Sequence, residues 1–280
     1  MKISPNVGFM QGRLSPMRNR RIQSFPWGHW EEEFCIAGEM GFTKIEWTID
    51  SERFLENPLL TAMGVKEILR LSDRNKVSIP SVTCDFFMEN PFWKIESQLI
   101  KKNLVSILNG MQQIEARILV IPLVDNSSLR EQNQTEEAIN FFSSLEKELA
   151  LRGLQIAFES DFDPESLSTF ISKFDSEYFG INYDIGNSAS FGFNPVEEFE
   201  AYGSQIINIH VKDRILGGTT VPLGEGAANF KNIFKLIHEF GYKGNLILQT
   251  ARADEGLHRE ALLKYQHMIL AWQEESANES

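Results

Sequence analysis

Three segments of the sequence end in an ionisable or metal-binding side chain directly after an apolar run. The run LQIAFES contains Glu159, FGINYD ends in Asp184 and IINIHVK contains His210. A fourth run of the same kind, NLILQ, ends in the neutral amide Gln249. Two carboxylates, an imidazole and an amide oxygen suit a divalent ion such as Mn²⁺, Co²⁺ or Mg²⁺, with Zn²⁺ also an option. The four residues therefore predict a metal site, provided that the fold brings them together.

The elements that must position these residues are short apolar strands separated by longer helical segments. Strands are predicted at residues 6–11, 44–48, 77–84, 117–124, 154–160, 179–184, 206–212 and 245–249. Near-continuous apolar runs indicate strands that are buried on both faces, which is typical of a parallel sheet. Eight strands alternating with helices predict an α/β fold, a (β/α)8 TIM barrel. We expect one domain over residues 1–273 and a polar, frayed tail at residues 274–280.

Helix signals agree with this scheme. Residues 92–114 and 136–153 carry apolar side chains at intervals of three and four, which predicts amphipathic helices. Asn194-Pro195 and Asp163-Pro164 each resemble a helix start, with a capping side chain followed by proline at the first helical position. In a TIM barrel the side chains at the carboxyl ends of the strands converge on one face. Glu159, Asp184, His210 and Gln249 are all predicted to lie there.

Charge and composition exclude several classes of protein. The chain of 280 residues has 27 Lys and Arg against 39 Asp and Glu, a formal net charge of -12. Such a charge repels phosphate backbones, so we expect no nucleic-acid partner. No apolar run approaches the 18 residues of a membrane span and no signal peptide is visible. Cys35 and Cys84 show no CxxC spacing, which excludes a cysteine zinc site and favours the cytoplasm.

The motifs around the four residues resemble a known family. AFES, NYDIGN, IHVKD followed by PLGEG, and LILQTAR are similar to segments of the xylose isomerase-like sugar isomerases and epimerases, notably the ketose and ketose-phosphate 3-epimerases. The resemblance implies a small-molecule sugar or sugar phosphate as substrate and a divalent metal ion as cofactor. It assigns Glu159, Asp184 and His210 as metal ligands. Gln249 stands where the 3-epimerases have a second glutamate that binds the metal and moves a proton.

This departure bears on the reaction. In the resembling enzymes a carboxylate removes a proton next to a carbonyl and leaves an enediolate. Glu159 remains as the predicted catalytic base, whereas a glutamine has no useful proton-transfer pKa. Isomerisation on one face needs a single base, and so does dehydration of a keto-polyol of the inosose type. Epimerisation normally needs two. The alternatives are therefore an isomerase or epimerase, a dehydratase on the same metal, and a sugar-binding barrel that has lost catalysis.

Other residues near predicted strand ends are weaker candidates for the site. Predicted substrate contacts are Glu46, Lys212, Arg252, Arg13 and Glu225, with the two arginines suited to a phosphate or carboxylate. The glycine-rich PLGEG could bring backbone N–H groups close to a substrate. An epimerase could recruit another carboxylate, and Asp85 and Asp213 also follow predicted strands. Asp213 could instead orient the imidazole of His210. A homo-oligomer is left open.

Overall fold

The computed structural model describes residues 6–94 and 97–278. Eight parallel strands close into a barrel, and each pairs with its neighbours along the chain until the eighth meets the first. The barrel strands are Val7–Met10, Ile45–Ile49, Ser81–Cys84, Ile118–Leu123, Gln155–Ser160, Phe179–Asp184, Ile206–Val211 and Asn245–Leu248. We number them first to eighth in this order. The predicted TIM barrel is confirmed, and every predicted strand is present.

Helices connect the strands on the outside of the barrel. They comprise Trp30–Met40, Ala62–Asn75, Phe86–Glu89, Ser97–Gln113, Gln132–Ser143, Glu146–Arg152, Pro164–Ile171, Ile185–Phe191, Pro195–Tyr202, Phe230–Glu239 and His258–Asn278. Short 3₁₀ turns lie at Phe54–Glu56, Pro58–Leu60, Phe92–Lys94, Asp125–Ser127 and Gly203–Gln205. Asp163 and Asn194 cap their helices as predicted, each accepting a backbone N–H. Within the described residues, no helix combines the length and apolar character needed to cross a membrane.

Some predicted element boundaries differ from the structure. The predicted helix at 92–114 is a 3₁₀ turn followed by Ser97–Gln113, with residues 95 and 96 outside the described residues. In place of the predicted helix at 136–153 the structure has two helices, because helical structure is interrupted at Ser144. The Ser144 hydroxyl donates to the carbonyl of Phe141, a local bond that competes with helix continuation. The third strand begins only at Ser81, after Pro80, which has no N–H to donate.

The expectation of a frayed tail from residue 274 differs from the structure, in which the last helix runs to Asn278. Two contacts hold its end against the helix Phe230–Glu239. Trp272 stacks on Phe230 with ring centroids 4.4 Å apart, and Lys231 pairs with Glu275. Residues 279 and 280 lie outside the described residues.

Strand alternation separates an outer core from the barrel interior. In the fifth strand, Ile156 and Phe158 belong to the large core between the barrel and its helices. Ala157 alternates with them and belongs to a small separate cluster with Val120. Glu159 has the same parity as Ala157, so it faces the barrel axis. The apolar cluster thus fills the interior beneath the polar residues that form the candidate site.

Candidate active site

Three of the four predicted ligands converge at the carboxyl end of the barrel. One ligand atom each from Glu159, Asp184 and His210 can be chosen so that all three atoms lie within 4.8 Å of one another. All three side chains are buried. The strand register places Asp184 directly beside His210. A single divalent ion can be held by donors at this spacing, and the three residues do come together as the sequence predicts.

Asp184 has one oxygen committed to the fold and one available. Its Oδ1 accepts the backbone N–H of Asn187 at 2.8 Å and so caps the helix Ile185–Phe191. Its Oδ2 is buried and accepts no hydrogen bond from the described residues, although Lys212 Nζ lies 2.6 Å away as an ion pair. Burial raises the pKa of Asp184, and the charge of Lys212 opposes that rise. A buried carboxylate oxygen without an aligned donor is the atom that a metal ion would satisfy.

His210 is held between two carboxylates. Its Nε2 lies 2.7 Å from Glu46 Oε1, and its Nδ1 lies 3.2 Å from Glu159 Oε2. Burial disfavours the imidazolium, but Glu46 and Glu159 outweigh that effect and raise the pKa of His210 to about 10. With Nε2–H donated to Glu46, loss of the other proton leaves a lone pair on Nδ1 facing Glu159. In that tautomer Nδ1 is able to ligate a metal ion while Glu46 fixes the ring through Nε2–H.

Glu46 lies behind His210 and does not line the cavity described below. It is fully buried. Its two oxygens accept hydrogen bonds from Ser81, Thr83 and Asn208, in addition to the contact with His210. Both carboxylate oxygens of Glu46 are therefore occupied by protein groups. The structure places Glu46 where it orients the imidazole, whereas the sequence predicted a contact with a substrate hydroxyl.

A row of asparagines beneath the ligands was missed by sequence reasoning. Asn182 Nδ2 donates to Glu159 Oε2 at 2.9 Å and lies 3.0 Å from His210 Nδ1. Asn208 Nδ2 donates to Asn182 Oδ1 at 2.8 Å. Asn182 and Asn208 each precede a ligand by two residues, so strand alternation points them to the same face as that ligand. This period of two was the signal that could have found them.

Gln249 contacts a lysine rather than the three ligands directly. Its Oε1 accepts a hydrogen bond from Lys212 Nζ at 3.0 Å. The same ammonium group is the one that lies beside Asp184 Oδ2. Lys212 therefore bridges Asp184, at the end of the sixth strand, and the amide of Gln249, which follows the eighth strand. For Gln249 to act as a fourth ligand, Lys212 must give up this contact.

A cavity of about 370 Å³ opens above these groups. Glu159, Lys212 and Gln249 lie in its wall, together with Arg13 and Asp85. The remaining lining residues are Ile22, Gln23, Met88, Pro122, Val124, Asp125, Arg130, Asp161, Asn187, Phe191, Arg214 and Thr220. The volume fits a small molecule, and the lining mixes charges of both signs. A polar, hydrogen-bonding ligand suits such a wall better than an apolar one.

Of the two predicted arginines, Arg13 lies in the loop after the first strand, and Arg252, which follows the eighth strand, packs against that loop. Arg13 lines the cavity and donates through Nε to the carbonyl of Thr250 at 2.9 Å. Burial and, as the second cause, the nearby charge of Arg252 together lower the pKa of Arg13 to about 9. Arg252 donates to the carbonyls of Gly12 and Ser15 and does not line the cavity. Only Arg13 of this pair is placed to meet a ligand in the cavity.

Asp213 and Glu225 do not reach the cavity. Asp213 is fully buried and accepts backbone N–H groups from Gly224, Gly226 and Ala228. The PLGEG amides are therefore directed at Asp213, and the prediction that they approach a substrate is wrong for these groups. The prediction that Asp213 orients His210 is also wrong, because Glu46 does so. Glu225 is exposed and lies outside the cavity wall, although it was predicted to contact substrate.

Known proteins resemble this chain over most of its length. L-ribulose-5-phosphate 3-epimerase UlaE from Shigella flexneri serotype 5b (strain 8401) is 24% identical over 236 residues, which cover 79% of this chain and 81% of that protein. Among solved structures, a D-tagatose 3-epimerase-like protein is 20% identical with a TM-score of 0.69, covering 95% of this chain and 98% of the other. The IOLI protein with a bound zinc atom is 14% identical with a TM-score of 0.75, covering 96% and 98%.

A model of a protein family also matches most of this chain. The model described as xylose isomerase-like TIM barrel matches residues 34–270, which include all the candidate ligands. The closed eight-stranded barrel agrees with that description. The chain belongs to the xylose isomerase-like TIM barrel family.

Proposed function

We propose that the protein is a divalent-metal-dependent sugar or sugar-phosphate isomerase or epimerase, which acts by removing a proton next to a carbonyl. The observation that carries the proposal is the position of Glu159. Its carboxylate lies among the candidate metal ligands and also in the cavity wall. A base must reach both the ion's surroundings and the substrate carbon to work in this way. The relation to a ribulose-phosphate epimerase supports the substrate class.

The donor set fits a divalent ion. Glu159, Asp184 and His210 would hold it, and Gln249 is available as a further oxygen donor once Lys212 moves. When bound, the ion would polarise the substrate carbonyl and stabilise the negative charge of an enediolate. The IOLI neighbour holds zinc, and the oxygen-rich set here also suits Mn²⁺, Co²⁺ or Mg²⁺. Asp184 Oδ2, a buried oxygen that accepts no hydrogen bond from the described residues and has only the ammonium of Lys212 beside it, supports this fit from the protein side.

The residues around the base define its chemistry. Asn182 and Asn187 donate to opposite oxygens of Glu159, at 2.9 and 2.8 Å. Burial raises the pKa of Glu159, but the hydrogen bond and charge of His210 outweigh it, so the pKa is lowered. Glu159 is therefore ionised and fixed in orientation, as a base must be. Arg13 and Lys212 supply positive charge in the cavity wall for a hydroxyl or phosphate oxygen of the substrate.

One observation favours a second candidate. Gln249 replaces a carboxylate and is engaged by Lys212, so the group at the eighth strand moves no proton. A reaction that needs one base, such as aldose–ketose isomerisation or dehydration of a keto-polyol, is compatible with that arrangement. Product analysis separates these reactions because dehydration removes water while isomerisation conserves mass.

Deuterium exchange tests the proposal. Mn²⁺-loaded protein in D₂O, incubated with L-ribulose 5-phosphate and a panel of ketoses, aldoses and their phosphates, should incorporate deuterium next to a carbonyl. Glu159→Gln should lose this exchange because it removes both the base and a charged ligand. Glu165→Gln, an exposed change on the helix that follows the fifth strand, is the matched control and should retain it. A wild-type protein that exchanges no member of the panel would refute the proposal.

A further inference from the structure

An epimerase needs a second group that carries a proton, and Gln249 stands at the position after the eighth strand where the resembling 3-epimerases have that group. Inversion at a carbon requires removal of a proton from one face and delivery to the other. Glu159 provides one group, and Gln249 cannot provide the other. The cavity must supply a carboxylate from another strand if the protein epimerises its substrate. The inference below rests on the proposed function, because it concerns the same cavity and the same reaction.

Most carboxylates around the barrel mouth are already engaged or lie elsewhere. Glu46 is saturated by protein donors, and Asp213 holds four backbone N–H groups. Glu225 is exposed and outside the cavity wall. Asp161 lines the cavity but accepts the hydroxyl of Ser128 at 2.6 Å. Asp125, also in the wall, is exposed to solvent.

Asp85 differs from all of these. It follows the third strand directly and lines the cavity. The residue is only 7% exposed, yet its side chain makes no hydrogen bond with the described residues. It stands at the capping position of the helix Phe86–Glu89 without capping it. A buried carboxyl group that takes no structural bond and faces a cavity is costly to the fold, and such groups are typical of functional positions.

The barrel places Asp85 on a different side of the cavity from Glu159. Around the ring, the third strand is two places from the fifth, and the eighth is three places from the fifth in the opposite direction. A ligand above the barrel axis is therefore approached by Asp85 and Glu159 from different directions. We propose that Asp85 is the second acid–base residue of this cavity, serving the substrate face that Glu159 does not serve and so restoring epimerisation despite Gln249.

The proton transfers balance without any redox partner. Glu159 takes the proton from the carbon next to the carbonyl, and the C–H bond electrons pass into the enediolate. Asp85, in its acid form, delivers a proton to the other face of the same carbon, so one C–H bond breaks and one forms. The cycle ends with Glu159 protonated and Asp85 ionised, and exchange with solvent in the cavity resets both. In the reverse direction the two residues exchange roles.

The surroundings of Asp85 support both protonation states. Burial is the largest influence, and together with the charges of Glu159 and Asp50 it raises the pKa of Asp85 to about 7. His210 acts in the opposite direction and Glu89 in the same direction. An acid–base group with a pKa near the working pH can both give and take a proton.

The test compares epimer formation with proton exchange in Asp85→Asn. L-ribulose 5-phosphate and its C3 epimer are incubated separately in D₂O with Mn²⁺-loaded protein. Wild-type protein should convert each into the other with deuterium at C3. The variant should lose epimer formation by about 10²-fold or more, the usual contribution of a general acid or base. It should still exchange the C3 proton of the one epimer whose C3–H faces Glu159.

Controls separate this role from a structural one. Glu67→Gln removes a partly exposed carboxylate that pairs with Arg70 outside the cavity wall and does not act on Asp85, and it should leave both readouts unchanged. Mn²⁺ affinity, measured by calorimetry, should be the same in Asp85→Asn as in the wild type. A purely structural role of Asp85 would lower exchange and epimerisation together.

The outcomes that overturn the inference are distinct from those that overturn the function. Epimerisation by Asp85→Asn at the wild-type rate, or equal loss of exchange and epimerisation with unchanged Mn²⁺ affinity, removes Asp85 from the reaction. A wild-type protein that exchanges protons without forming an epimer also refutes the inference, while the proposed isomerase chemistry stands. Absence of exchange with every sugar of the panel refutes the proposed function and this inference with it.

Discussion

Lys212 donates a hydrogen bond from Nζ to Oε1 of Gln249 over 3.0 Å, while the same ammonium lies 2.6 Å from Asp184 Oδ2. The amide thus faces a cation that belongs to the protein. A glutamate at position 249 would form an ion pair with this lysine. With glutamine there, the charge of Lys212 is paired with Asp184 instead. The replacement of a carboxylate by glutamine therefore changes the charge around the candidate metal ligands. It also reduces the number of groups in the site that can transfer a proton.

Gln249→Glu should bind Mn²⁺ more tightly than the wild type, by about tenfold or more, since ligand charge tunes the affinity of divalent-ion sites over such ranges. The change is nearly isosteric and adds one negative charge beside the three ligands. Isothermal titration calorimetry measures it. Gln249→Met, which keeps the length but removes the oxygen, is the control and should not tighten binding. Equal Mn²⁺ affinity in wild type and Gln249→Glu would place residue 249 outside the coordination sphere.

Removing the lysine should have a related effect. In Lys212→Met the ammonium no longer competes for Asp184 Oδ2, so Mn²⁺ affinity should rise as like-charge repulsion disappears. Substrate affinity should fall in the same variant, because a cation is lost from the cavity wall. Lys235→Met, which removes an exposed lysine paired with Glu239, should alter neither quantity. Weaker Mn²⁺ binding in Lys212→Met would show that the lysine supports the metal site.

Glu46 should matter through His210. Glu46→Gln removes the carboxylate that accepts from Nε2, and such orienting partners typically account for about 10- to 100-fold in metal affinity. It also presents an amide N–H₂ to a site surrounded by donors, so the free energy of unfolding should fall by about 1–3 kcal/mol. Calorimetry with Mn²⁺ and urea denaturation measure the two effects.

Glu33→Gln provides the matched control for Glu46→Gln. Glu33 is also fully buried and accepts the backbone N–H groups of Gly12 and Leu14 and the hydroxyl of Ser15, but it does not touch His210. This variant should lose stability and keep its Mn²⁺ affinity. If both variants lost affinity equally, the effect of Glu46 would be one of general destabilisation.

The strand ends could be predicted from the sequence because the fold itself dictates them. Parallel strands buried on both faces are short apolar runs, and a barrel brings the residues that follow them to one end. Glu159, Asp184 and His210 were found in this way. The signal is local to each strand, so it needs no knowledge of which side chains finally touch.

The contacts between strands could not be predicted in the same way. Glu46 and His210 are 164 positions apart and meet only because both side chains face the barrel axis. Lys212 reaches Gln249 through the length and rotamer of its side chain, which strand alternation does not determine. The carboxylate that orients a histidine is set by these three-dimensional details, and for this reason sequence reasoning chose the neighbouring Asp213 instead of Glu46.

Asp85 should make stability depend on pH in a way that its replacement removes. Its pKa is raised to about 7 in the folded protein from the ordinary value of 3.8, with burial as the largest cause. The folded state therefore holds a proton that the unfolded state has lost between about pH 4 and pH 7, and stability falls as pH rises through that window. The groups acting on Asp85 are Glu159, Asp50 and Glu89, which raise its pKa, and His210, which lowers it.

In metal-free protein, Asp85→Asn should consequently raise the thermal unfolding midpoint, and more so at pH 8 than at pH 5, because the neutral amide carries no penalty for a buried charge. Each pKa unit corresponds to about 1.4 kcal/mol, so the gain at pH 8 should amount to a few kcal/mol. Glu67→Gln, at a partly exposed site that pairs with Arg70 and does not act on Asp85, should shift the midpoint by nearly the same amount at both pH values. A lower midpoint for Asp85→Asn at pH 8 would mean that the carboxylate stabilises the fold, and Asp85 would then be a structural residue rather than one kept at a cost to stability for its proton chemistry.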